Sequence, residues 1–260
     1  MLKHITATEQ EELFRKHRKL TREFKEKRNE LPSLNVAVLS GVTVHPFKDI
    51  METLLLEGGF NPSIFEGDYN AYAFESRFSD ALVAFNPEIV YLHTTIDNVI
   101  TRPEISADEQ AANAAINAYL DDFKNSVDAL LQRTDATIVI NTLEYPNFRM
   151  NGNFEAVAQG GFVRFIREVN AQLAELAFKN SRVTLSDINY LSSQVGLENW
   201  RDDMNMPVEI QPDWLHGTES NAQVLPVPLE MSTSIEVFMP EEGVNTKASK
   251  RIKLVWSARW

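Results

Sequence analysis

The chain has 260 residues, 43% of them hydrophobic and 24% charged, enough for one sizeable core with appendages rather than two full domains. Its net charge of −12 conceals a body, residues 31–246, with 11 basic and 31 acidic side chains, which repels a phosphate backbone and excludes nucleic acid as a partner. With no cysteine, no apolar run near the roughly 18 residues of a membrane helix and no signal-like leader, disulfide, thiol and membrane chemistry are excluded, and a cytoplasmic location is expected.

In chain order, Thr8 and Glu11 have capping-box spacing, and the stretch to about Arg28 reads as a helix with Leu13, Phe14, His17, Leu20 and Phe24 near one stripe. Leu31-Pro32-Ser33 stops it. A strand follows at Val36–Leu39, then a helix from about Pro46 to Glu57, ended by Gly58-Gly59. Asn61–Glu66 reads as a second strand, Gly67-Asp68-Tyr69-Asn70 as a turn, and 78–85 as a short helix. Ile89–His93 is a third strand without a polar residue until its end. A long helix is expected from the Ser106–Glu109 capping box to about Arg133. A fourth strand at 136–140, a helix at about 162–178 and a fifth strand at 183–185 complete the alternation.

Strands alternating with helices predict an α/β fold: a three-layer sandwich of about five parallel strands, SGNH- or flavodoxin-like, with an N-terminal helix and an irregular C-terminal tail. Right-handed crossovers then place 40–45, 67–70, 94–98, 141–145 and 187–190 along one edge of the sheet. The expected organisation is an N-terminal helix (1–32), an α/β domain (33–203) and an atypical tail (204–260). In the tail, 235–239 and 252–255 read as edge strands. Residues 1–30 hold nine Lys/Arg against six Asp/Glu, and 247–260 hold five basic residues and no acid, so both ends read as solvated arms beside an acidic body.

The run Glu66-Gly-Asp-Tyr-Asn-Ala-Tyr, followed by Phe85-Asn-Pro-Glu-Ile-Val-Tyr-Leu, resembles the amino-terminal, SGNH-hydrolase-like domain of FkbH-like proteins. Asn141-Thr-Leu-Glu-Tyr-Pro, Asn151-Gly-Asn-Phe-Glu, Phe165-Ile-Arg-Glu-Val-Asn170 and Ser186-Asp-Ile-Asn-Tyr-Leu-Ser-Ser-Gln-Val-Gly-Leu-Glu-Asn-Trp200 continue the likeness over about 30–203. Such proteins usually continue into a haloacid-dehalogenase-type phosphatase domain marked by Asp-x-Asp-x-Thr, which uses magnesium and helps load a glyceryl unit onto an acyl carrier protein. No Asp-x-Asp-x-Thr occurs in this chain, so that chemistry does not carry over. The tail reads either as a divergent ending or as the product of truncation or a shifted reading frame. The resemblance implies a module recognising an acyl carrier protein, an acyl group or a partner phosphatase domain, in secondary-metabolite or surface-polysaccharide biosynthesis.

The alternative is a Ser-dependent ester hydrolase of SGNH type. That chemistry needs a Ser after the first strand, oxyanion donors on neighbouring loops, and an Asp-x-x-His near the end. Ser40 is the only serine in the first loop, but it stands about two residues early, and Val42 occupies the neighbourhood of the nucleophile. Asp213-Trp-Leu-His216 has the right spacing, so the catalytic candidates are Ser40, Asp213 and His216. Gly41, Thr95 and Asn141 are the candidate oxyanion or substrate-binding donors. Each also has a structural reading: a tight turn, a strand cap and a backbone bond, respectively.

His45 and His93 read as hydrogen-bonded structural residues rather than bases. Asp97, Glu144 and Asp187 are loop carboxylates expected in so acidic a body, so no metal is assigned, and no cofactor is expected. Gly160-Gly161 lacks a P-loop Lys-Ser/Thr, which excludes a Walker site. Phe65, Tyr69, Tyr72, Phe74 and Phe78 read as closing the core over the sheet edge, with an exposed groove for a pantetheine arm or partner domain as the other option.

Overall fold

The computed structural model describes residues 30–200, 231–239 and 250–258. Strands β1 (Ser33–Ser40), β2 (Asn61–Glu66), β3 (Ile89–His93), β4 (Thr137–Asn141) and β5 (Val183–Ser186) form one sheet in the order β2-β1-β3-β4-β5. Every pairing is parallel, in the register Val36↔Ile89, Ile89↔Thr137 and Ile138↔Val183. The order reverses between β1 and its two neighbours, which opens a crevice at the carboxyl end of β1, where open α/β sheets place their sites.

Both faces are covered, and this is why β3 and β4 read as unbroken apolar runs. Leu34, Val36, Val38, Ile89, Tyr91 and Val139 pack with Phe47, Ile50, Met51, Leu54 and Leu55 of α1 (His45–Glu57). The alternate residues Ala37, Leu39, Val90, Leu92, Ile138 and Ile140 pack on the opposite face. There they meet Ile116, Leu120, Phe123, Val127 and Leu130 of α4 (Glu109–Arg133), and Phe165, Ile166, Val169 and Leu173 of α5 (Phe162–Lys179).

Three local outcomes differ from the sequence expectations. The β2–β3 crossover holds two helices, α2 (Tyr72–Phe78) and α3 (Asp80–Phe85), in place of one. Ser79 breaks the run by taking an extended backbone, and its side chain accepts the Leu82 N–H at 3.1 Å as the N-cap of α3. The long helix α4 is capped by Asp108, whose Oδ1 accepts the Ala111 N–H at 2.8 Å, so the Ser106–Glu109 box does not start it. Finally, β6 (Met231–Met239) and β7 (Lys250–Ala258) pair antiparallel in a separate two-stranded sheet rather than at the edge of the main one. After β5 the chain forms α6 (Ile188–Val195) and α7 (Leu197–Trp200). The predicted helix over 8–28 lies outside the described residues.

Two arginines lock the crossovers to the long helix. Arg133, in the last turn of α4, donates to the Ser76 and Ser79 carbonyls at 3.1 and 3.0 Å and so holds the α2–α3 junction. Arg182 donates to the Leu131 and Thr134 carbonyls at 2.8 and 3.1 Å, satisfying the carboxyl end of the same helix.

A candidate recognition site at the carboxyl edge

The five loops named from the sequence do share one edge. Ser40 ends β1 in register with His93 on β3, and both side chains point to the α1 side of the sheet. Ser40 is fully buried, and its Oγ accepts the Val42 N–H at 3.0 Å in a tight side-chain-to-backbone turn. Among the described residues no histidine nitrogen bonds to this oxygen. Asp213 and His216, the other two members of the candidate triad, lie outside the described residues.

Gly41 is held from both sides. Its N–H donates to the His93 carbonyl at 2.9 Å, and its carbonyl accepts from Asn98 Nδ2 at 2.8 Å. Asn98 Oδ1 accepts the Thr95 N–H at 2.9 Å, so one amide clamps the loop after β1 to the loop after β3. Thr95 is the N-cap of a single 3-10 turn, Ile96–Asn98, with a reciprocal capping box. Asn98 lies so closely over Gly41 that a Cβ there would collide with its amide. Replacing Gly41 by alanine is therefore expected to cost about 1–3 kcal/mol through overpacking and loss of the clamp. Urea unfolding checks this. In an Asn98→Ala background the same substitution should cost much less, because the colliding group is gone.

Asn141 is fully buried at the end of β4 and is wholly engaged with backbone. Its Oδ1 accepts the Thr94 N–H at 3.1 Å, and its Nδ2 donates to the Thr94 and Thr142 carbonyls at 2.7 and 2.9 Å. Gly41, Thr95 and Asn141 thus come to one edge, but the polar groups of all three are used in holding loops together.

His93 is buried beside Phe47, its ring stacked at 6.4 Å, and its Nδ1 shares a 2.9 Å bond with the Tyr91 hydroxyl. Burial brings its pKa down to about 4, against a smaller opposing effect from Asn141, so the ring is neutral at pH 7. His45 is exposed at the start of α1, where its Nδ1 lies 3.2 Å from Glu66 Oε2, and Lys48 Nζ reaches the same oxygen at 2.7 Å. Burial opposes the charged form of Glu66, but the bonds and charges of Lys48 and His45 together hold its carboxyl below the ordinary value.

Two residues of this edge were not visible in the sequence. Asn98 is one. The other is Glu75 on α2, whose Oε1 accepts the Asp68 N–H at 3.1 Å and whose Oε2 is pressed against Gly67. Burial pushes the Glu75 carboxyl up, offset in part by the Asp68 N–H. Neither residue belongs to a motif or a capping pattern that the sequence displays. The only available signal was the pairing of each with a glycine on a neighbouring loop.

The carboxylates considered for a cation have other tasks. Asp187 Oδ1 caps α6 through the Tyr190 N–H at 3.2 Å and accepts from Thr142 Oγ1 at 3.0 Å. Glu144 is buried with Oε1 facing the Ile96 N–H, and Asp97 is exposed. Among the described residues no three His, Asp or Glu side chains gather as a metal site. No described helix is long and apolar enough to cross a membrane.

The edge carries exposed apolar side chains. The aromatic group from the sequence divides: Tyr72 is buried and Phe65 packs on Phe85 at 5.6 Å, whereas Tyr69, Phe74 and Phe78 face solvent. Phe148, Met150, Phe154 and Val157 are exposed in the β4–α5 crossover, and Ile100 in the loop after β3. Beside Ile100 an open groove of about 630 Å³ runs between residues 101–108 and the alanines 111, 114 and 118 of α4.

Comparison with known proteins agrees with this architecture. The crystal structure of the N-terminal part of the protein BF1531 from Bacteroides fragilis, containing a phosphatase domain complexed with Mg, matches with a TM-score of 0.61 at 17% identity. The match covers 72% of this chain and 49% of that one, so this chain spans about half the length of the crystallised part. A putative acylhydrolase, BF3764, from Bacteroides fragilis NCTC 9343 gives a TM-score of 0.35 at 10% identity, covering 65% of this chain and 77% of that one, too slight for any argument to rest on it. No curated protein matches. Residues 35–210 match the sequence model of the family described as "FkbH, N-terminal domain", more than half of the chain, and the chain belongs to that family.

Proposed function

We propose that this chain is a recognition module, binding a carrier protein, an acyl group or a phosphatase partner in the assembly of a secondary metabolite or surface polysaccharide. One observation carries the reading: the corner where a hydrolase of this shape would place its nucleophile is filled by its own groups. Val42 stands at that position, Ser40 is buried with its oxygen accepting the Val42 N–H, and Gly41 is closed under Asn98. A nucleophile needs an exposed oxygen and a base within hydrogen-bond reach. An oxyanion hole needs donors aimed at empty space, not at carbonyls already present.

The competing reading is ester hydrolysis by Ser40 with His216 as base and Asp213 orienting it. Turnover of short-chain aryl esters by the wild type, Ser40→Ala and His216→Ala separates the two. The recognition reading expects the same background rate in all three. A wild-type rate that falls about a hundredfold or more in both variants would establish the hydrolase.

A further inference from the structure

Residues 145–167, the crossover from β4 into α5, reverse the charge of the body around them. They contain Arg149, Arg164 and Arg167 against a single acid, Glu155, which is buried and accepts the Asn151 N–H at 3.1 Å. Across residues 31–246 the balance is 11 basic to 31 acidic. The guanidinium groups of Arg149 and Arg164 make no hydrogen bond or ion pair among the described residues. The same crossover exposes Phe148 (73%), Met150 (85%), Phe154 (57%) and Val157 (68%), and Ile100 (94%) stands in the adjoining loop.

Packing makes these two loops one surface. Gly160 lies so close to the Glu104 carbonyl that no side chain fits between them. Arg102 stacks on Phe162 at 4.3 Å, and Arg167 donates to the Ala156 carbonyl at 3.2 Å. The groove over the α4 alanines shares Arg102 with this surface, but it is also lined by the exposed Glu104 and Asp108 and so marks the acidic border of the face rather than part of it. Large apolar side chains gathered in water mark an interaction site rather than the scattered exposure of an ordinary surface. Arginine with aromatic and methionine residues is the composition of an interface core.

We infer that this face docks a partner protein through an acidic helix carrying an apolar stripe. The inference rests on the recognition reading and names the face and the chemistry of the partner. Charge complementarity selects the occupant. Arginines without internal partners call for carboxylates or phosphate, and the apolar side chains between them call for a matching stripe. An anionic membrane offers similar chemistry but extends well past a Debye length of about 8–10 Å, so it also meets the acidic body and is repelled. A protein partner meets only the local face. Beside the other exposed aromatic pair, Phe74 and Phe78, the arginines are already engaged, Arg77 with Asp122 and Arg133 with Asp80, so that pair offers an acidic partner no unpaired cation.

The test titrates a holo acyl carrier protein, an acidic helical protein, against the wild-type chain by calorimetry. Arg149→Glu/Arg164→Glu and Phe148→Ser/Met150→Ser should each weaken binding about tenfold or more, and Phe74→Ser/Phe78→Ser should leave it unchanged. Raising salt from about 50 to about 300 mM should weaken the wild type and have little effect on the charge-reversed variant. Phe74, Phe78, Phe148 and Met150 are exposed and Arg149 and Arg164 are half-buried, and circular dichroism confirms that the variants fold. Binding that survives both double substitutions, or is lost with Phe74 and Phe78, overturns the docking face and leaves the recognition reading intact. Binding to phosphatidylserine vesicles in place of the carrier protein overturns the assignment of a protein partner. No binding by the wild type overturns the inference and removes the carrier protein from the recognition reading, leaving an acyl group or a phosphatase partner.

Discussion

Replacing Asn141 by alanine is expected to lower the unfolding free energy by about 3–5 kcal/mol, a large share of the roughly 5–15 kcal/mol typical of a domain. The substitution removes three hydrogen bonds at once, at 3.1, 2.7 and 2.9 Å. It strands the Thr94 N–H and the Thr94 and Thr142 carbonyls in an environment closed to water. Each buried polar group left without a partner costs about 1–3 kcal/mol. Asn141→Asp is expected to be no milder, since it keeps the acceptor for Thr94 but turns a carboxylate oxygen toward two carbonyls. Urea denaturation of the two variants measures both. If Asn141 served only as a donor to substrate, either variant would unfold like the wild type.

The second large effect is a loss of stability in mild acid traceable to His93. Its folded pKa of about 4 lies below the ordinary 6.5, so between these values the unfolded chain binds the proton and the folded chain does not. Stability from this group is complete above about pH 6.5 and falls as pH drops toward 4, by about 3 kcal/mol in all. The groups facing the ring are the Tyr91 hydroxyl, the Phe47 ring and Asn141, none of which offers a charge to the imidazolium. His93→Gln keeps a polar group near the Tyr91 hydroxyl and removes the titration. Unfolding free energies of wild type and variant, compared across pH 4–7, should converge as pH falls. A constant difference over that range would show that His93 titrates normally.

The parallel strands were readable, though not their order in the sheet, because a strand buried on both faces has to be apolar throughout, as Ile89–Leu92 and Ile138–Ile140 are. Helix α5 was readable because Val163, Ile166, Val169 and Leu173 recur with helical spacing and all are buried. Helix α2 was not, because its seven residues hold three aromatics, two of which face solvent, and this blurs any apolar stripe. Asp108 won the cap of α4 over Ser106 because its side chain reaches Ala111, a choice that spacing alone leaves open.

The site was legible as a place but not as a set of contacts. Ser40, Gly41, Thr95 and Asn141 do stand at the carboxyl edge, as strand ends in this topology must. What their polar atoms bond to depends on partners 47 to 57 residues away, Asn98 for Gly41 and Thr94 for Asn141, and no local pattern encodes those pairs. The same holds for Glu75 over Gly67 and for Glu104 over Gly160, each a close approach that only glycine permits. The recognition reading starts from one residue of the loop after β1, Val42, an apolar side chain in the neighbourhood where a nucleophile would stand.

The central claim is that this loop presents no active serine. The most direct measurement is intact-mass analysis after incubation with a fluorophosphonate probe, followed by peptide mapping of any adduct. The recognition reading predicts an unmodified mass for the wild type, with Ser40 buried and bonded to the Val42 N–H. A stoichiometric adduct mapped to Ser40, absent in Ser40→Ala, would contradict it.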